Sequence, residues 1–163
     1  MNNEKALGGH PNLAKTVLCK TEVAALLCKE GISRGYWCIP EYRINTTSGT
    51  RNIDVVWAER NSDGVNGIWK LIAAFEIEGH DCYTDKKALP KDFESLSAAR
   101  KEGAESCAVV LFQASVVGEL WHPTKFNNNF LEITQNRLNK CSANEKFEIV
   151  TDEILPEYLR KIR

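Results

Sequence analysis

An apolar run that ends in two acids constrains this chain more than any other stretch. Residues 68–81 read IWKLIAAFEIEGHD; apart from Glu76, positions 71–77 are apolar, and Glu78 follows. In an extended strand, residues two apart share a face of the sheet. Glu76 and Glu78 therefore project together at the end of a buried strand. Two neighbouring carboxylates repel, and such a pair is tolerated where a cation joins them or where one keeps its proton. Upstream, residues 52–58, NIDVVWA, form a second apolar run with one acid, Asp54, inside it. An acid within one strand and a pair at the end of the next set several oxygen ligands on rigid elements, as a hard divalent cation requires.

The elements around these strands follow from periodicity and turn chemistry. Residues 12–30 carry Leu13, Val17, Ala24, Leu27 and Cys28 at helical spacing, with Asn12 as cap and Gly31 as stop. Residues 36–44, YWCIPEYRI, read as a strand that Pro40 confines to a sheet edge or a bulge. The turns NTTSGT and ERNSDGVNG separate this strand from 52–58, and 52–58 from 68–78, which predicts an antiparallel three-strand meander. A polar connection leads to a helix over 91–103 with Phe93, Leu96 and Ala99 inward and Gly103 as stop. The continuous apolar run SCAVVLF, 106–112, then reads as a strand buried on both faces. After a helical crossover such a strand is expected to lie parallel to its neighbour. A helix over 125–139, a short strand over 146–150 and a helix over 152–162 complete the chain. This order predicts an α/β fold: a mixed central sheet, α-β-β-β-α-β at its core, flanked by helices.

Composition narrows the function classes. At 163 residues the chain reads as a single domain, 1–163, with residues 1–10 loose around Gly8 and Gly9. The net charge of −1 argues against a general polycation, so any nucleic-acid contact must come from a local basic patch. Lys86, Lys87 and Lys91, just past the acid pair, are the candidates for phosphate contact. No apolar run approaches the roughly 20 residues of a membrane span, and the polar start lacks an apolar signal core, which points to no membrane and a cytoplasmic setting. The six cysteines form no C-x-x-C pair and read as small buried hydrophobes in a reducing compartment. His10, His80 and His122 have no zinc spacing.

Asp54 within I-D-V-V-W, a turn, and then A-A-F-E-I-E resembles the PD-(D/E)xK nuclease superfamily, whose fold is restriction-endonuclease-like. The resemblance covers about residues 12–113. It implies that Asp54 and Glu76 bind Mg²⁺ (or Mn²⁺) and that DNA is the substrate. The position of the family's motif lysine is Glu78 here. Members often add a helix glutamate or an acid on the first strand, which would be Glu22 and Glu41, with Glu41 as a further metal ligand. Gln113, at the end of the apolar strand, is a candidate lining residue, and His80 and Asp81 are loop residues near the pair. Lys70 shares the parity of Glu76 but lies roughly 20 Å away at about 3.3 Å per residue, too far to stand in for the lysine.

The resemblance thus implies a Mg²⁺-dependent endonuclease, with Glu78 beside the metal as general base to an attacking water. With little chain left for a separate target-reading domain, it would act as a homodimer or within a larger complex, in restriction or another defence. The rival expectation is a catalytically inactive module of the same fold that binds nucleic acid or a protein partner, its acids vestigial. A third is a different α/β fold in which Glu76 and Glu78 serve sugar or metal chemistry.

Overall fold

The computed structural model describes residues 11–62, 68–79, 88–112, 114–117, 120–123, 132, 136, 147–151 and 154–162. In chain order the elements are α1 (Pro11–Ser33), β1 (Trp37–Thr46), β2 (Gly49–Arg60), β3 (Trp69–Glu78), α2 (Ala88–Lys101), β4 (Ser106–Leu111), β5 (Ala114–Val117), β6 (Leu120–Pro123), β7 (Glu148–Thr151) and α3 (Leu155–Lys161). Five strands form one open sheet in the order β1-β2-β3-β4-β7, and β5 and β6 pair as a separate hairpin. The meander appears as expected, with β1, β2 and β3 antiparallel. β4 and β7 then add in parallel, Ala74 opposite Cys107 and Val109 opposite Ile149. The fold is therefore α/β with a mixed sheet.

The alternation of β3 divides the core into two layers. Leu71 and Ala74 pack with Leu96 and Ala99 of α2 on one face. Ala73, Phe75 and Ile77 pack with Leu27 of α1 and with Leu155 and Leu159 of α3 on the other. Every apolar position in the middle of the sheet is thus covered, which explains why β3 and β4 read as unbroken hydrophobic runs.

Three differences from the sequence expectations have a clear physical content. Gly31 does not stop α1; it lies inside the helix, and the chain reverses at Gly35, whose φ of 87° only glycine adopts readily. The reason is the indole of Trp57. This side chain is fully buried and donates from Nε1 to the carbonyl of Leu27 at 3.0 Å. A Cβ on Gly31 would lie 2.6 Å from Nε1, so glycine is there for close approach rather than for a turn. Gly31→Val is expected to lower stability by about 1–3 kcal/mol through overpacking, read as a lower urea midpoint at unchanged m. α2 starts earlier than expected, with Pro90 inside its first turn, where the missing N–H costs little.

Third, β5 and β6 pair antiparallel, a pairing for which the sequence pattern predicts nothing. Of the expected helix over 125–139, only 132 and 136 are described, and both are helical. Residues 1–10 lie outside the described set.

The cysteine expectation needs one correction. Cys28 of α1 and Cys38 of β1 are joined by a disulfide, their Cα atoms 5.2 Å apart, whereas Cys107 is a buried thiol as expected. The chain reversal between α1 and β1 brings side by side two cysteines ten residues apart, a spacing that no short motif registers. Among the described residues, no helix is long and apolar enough to cross a membrane.

Candidate functional site

The site forms where β2 and β3 part. Their last register pair at this end is Val55 with Phe75, which leaves the next backbone N–H groups without ladder partners. Buried amides need acceptors, and here the acids provide them. Ile77 N donates to Asp54 Oδ2 at 2.7 Å, and Asp54 N donates to Glu76 Oε2 at 3.4 Å. Each strand's acid thus takes an amide of the other strand, which fixes Asp54 and Glu76 beside each other. Both are buried, and Glu78, one pleat on, is half-buried.

The two helices complete the cluster with groups that the sequence reading did not single out. From α1, Lys20 places Nζ 2.7 Å from Asp54 Oδ1, with its side chain 42% exposed. From α2, Asp92 and Ser95 point inward and are buried. The Ser95 hydroxyl donates to the carbonyl of Lys91 at 3.2 Å and lies within hydrogen-bond reach of the Glu76 carboxylate. Asp92 Oδ2 is buried and has no hydrogen-bond partner.

The electrostatics reflect an excess of carboxyl groups. Burial, then Asp92 and Asp54, holds the Glu76 carboxyl well above the usual carboxylate range, against the hydrogen bonds from Ser95 and from the Asp54 amide. Burial, then Glu78 and Asp54, pushes Asp92 up to about 8, with Lys20 and Lys91 opposing. For Lys20, burial pulls downward, but the bond to Asp54 and the charges of Asp54, Glu78 and Glu76 outweigh it, so its ammonium is held above the ordinary lysine range. The cluster thus carries one firmly charged ammonium in direct contact and is short of positive charge. A buried carboxyl with a free oxygen and a displaced pKa fits a cation that would replace its proton.

The other expected residues are placed as follows. Glu22 is exposed on α1. Glu41 is exposed on the edge strand β1 with φ 51°, and among the described residues no hydrogen bond or ion pair ties it to the acids. Its left-handed backbone breaks the alternation that parity arguments need. Lys91 is exposed at the start of α2, next to Asp92. Lys70 pairs with Glu59 at 3.8 Å, at the far end of β3. Gln113, Lys86, Lys87, His80 and Asp81 lie outside the described residues.

A signal for the missed groups does exist. Asp92, Ser95, Leu96 and Ala99 follow the i, i+3, i+4, i+7 stripe, and so do Lys20, Val23, Ala24 and Leu27. In each helix, the stripe that faces the sheet carries an ionisable group in its register.

Among the described residues, no three histidine, cysteine, aspartate or glutamate side chains converge into a ready metal cage. Comparison with family models, curated proteins and solved structures returned no match.

Proposed function

We propose that this chain is a restriction-endonuclease-like protein of the PD-(D/E)xK type that hydrolyses DNA phosphodiester bonds with Mg²⁺ or Mn²⁺. The observation that carries this reading is the Lys20 ammonium 2.7 Å from Asp54. β3 has Glu78 where the motif lysine would stand, and α1 delivers a lysine to the same acids from a different element.

Asp54 and Glu76 would hold the ion, which when bound supplies Lewis-acid polarisation of the phosphate and a more acidic water. The chain's own groups do the rest. The Ile77 amide fixes the Asp54 carboxylate, and the Ser95 hydroxyl fixes that of Glu76. Lys20, partly exposed and held protonated, neutralises charge developing on a phosphate set against the cluster. Glu78, half-buried at the strand end, accepts the proton of the attacking water. Lys91, exposed at the rim, contacts the neighbouring phosphate. Such a small domain would act as a homodimer or within a larger complex, in a cytoplasmic restriction or defence role.

The test is cleavage of end-labelled duplex and single-stranded oligonucleotides with Mg²⁺ or Mn²⁺. Wild type is expected to cut at least one of them, and Glu76→Gln to lose at least about a hundredfold in rate. No cleavage with either metal, or full activity in Glu76→Gln, would end the nuclease reading.

The absence of a ready cage among the described residues favours a second reading, an inactive module of the same fold that binds nucleic acid or a protein partner. Retarded but intact oligonucleotide in the same assay is its signature.

A further inference from the structure

We propose that Cys28 and Cys38 form a redox-responsive clamp on α1: joined, they pin the helix and its Lys20 to the sheet, and reduced, they let it open far more often. The disulfide ties the last turns of α1 to the start of the edge strand β1. Both cysteines are half-buried rather than enclosed, so a small thiol reaches the bond from solvent.

One tryptophan keeps the two cysteines neighbours whether or not they are joined. Trp57 Nε1 donates to the carbonyl of Leu27, next to Cys28, at 3.0 Å. Trp57 is also the register partner of Cys38, and the Tyr36 ring stacks on it with centroids 6.0 Å apart. The bond can therefore open and close again without refolding of the chain. Beyond that anchor the hold on α1 is thin. Among its described residues Leu27 is the one buried apolar side chain, while Val23, Ala24 and Cys28 are half-buried. Lys20 reaches Asp54 with a partly exposed ammonium, and exposed ion pairs add little to stability. A covalent link to β1 is thus a large share of what keeps the helix on the sheet. Lys20 lies about 12 Å before Cys28 along the same rigid helix, at 1.5 Å per residue, so a helix that lifts at Cys28 carries Lys20 away from Asp54. The clamp needs no particular chemistry from the acid cluster.

Reduction runs by thiol–disulfide exchange with a dithiol. One thiolate of the dithiol attacks a sulfur of the pair, and its second thiol resolves the mixed disulfide. The dithiol supplies both electrons and both protons; it ends as a cyclic disulfide, and Cys28 and Cys38 end as thiols. Cys107, its sulfur against the carbonyls of Leu96 and Ala104 in the core, takes no part.

The experiment is amide hydrogen exchange on the full chain at neutral pH, read by mass spectrometry after treatment with glutathione disulfide or with dithiothreitol. Alkylation of Cys28 and Cys38 is counted in the same digests. Dithiothreitol is expected to open both cysteines to alkylation without denaturant. The amides of α1 from Lys20 to Glu30 are expected to exchange at least about tenfold faster than in the oxidised chain, with β3 and β4 unchanged. Cys28→Ser is expected to exchange like the reduced chain under both treatments; should it fail to fold, Cys38→Ser gives the same comparison. Equal exchange of α1 in the two states, a bond that yields to dithiothreitol only in urea, or no bond between the two cysteines after glutathione disulfide overturns the proposal. So does an increase spread evenly over sheet and helix, which marks a general staple and not a clamp on α1.

Discussion

Lys20→Met is expected to lower the single-turnover rate of DNA cleavage by about a hundredfold or more, while Mn²⁺ affinity stays the same or rises. The two effects separate because Lys20 contacts Asp54 with one end of a partly exposed side chain whose ammonium is free to meet a phosphate as well. Removing it takes away charge stabilisation at the reacting group. It also removes a competitor for the oxygens of Asp54, so a metal ion gains there. A purely structural role for Lys20 predicts the opposite pattern, in which rate and metal affinity fall together with stability. Because the acids outweigh burial and hold the ammonium above the ordinary lysine range, its loss of charge does not enter the pH–rate profile near neutral pH.

The second large effect concerns stability in the absence of metal. Asp92 ionises near 3.8 in the unfolded chain and at about 8 in the fold, chiefly because it is buried. Below about pH 4 both states hold the proton and the group contributes no difference. As pH rises above that, the unfolded chain releases the proton while the fold retains it, so stability falls continuously up to about pH 8 and is constant beyond. The gap corresponds to at most about 6 kcal/mol, shared with the neighbouring acids. Asp92→Asn is therefore expected to be more stable than wild type by about 2–5 kcal/mol at pH 8 in EDTA, and nearly equal to it at pH 4. Urea unfolding at the two pH values, with wild type and variant side by side, measures it. Equal stability at both would show that Asp92 is not held neutral by its surroundings.

Much of this architecture was legible because the hydrophobic pattern and the turns agree. The apolar runs ending in Glu76 and containing Asp54, joined by Asn-Gly and Asp-Gly loops, specify adjacent antiparallel strands. The helix before SCAVVLF specifies the parallel step. Pro40 marked β1 as an edge strand or a bulged one, and β1 lies at the sheet edge.

The less legible features depend on contacts between elements remote in sequence. Gly31 reads as a helix stop until Trp57, twenty-six positions later, is seen lying on it. The resemblance implied Glu41 as a site acid, but it has a positive φ and is exposed. Lys20 and Asp92 are ordinary charged helix residues by composition, and charged helix residues are mostly exposed. Only their place on the apolar stripes of their helices distinguishes them. Exposed Glu22, off that stripe, shows that the stripe is the better guide to which charges turn inward.

Whether the cluster around Asp54 performs phosphodiester chemistry decides the nuclease reading. Supercoiled plasmid incubated with the metal-free protein and then with Mn²⁺ tests that directly, with Asp54→Asn as the control. Nicked circles from wild type and none from Asp54→Asn is the predicted result. Plasmid that stays supercoiled with wild type, or is nicked equally by both proteins, contradicts it.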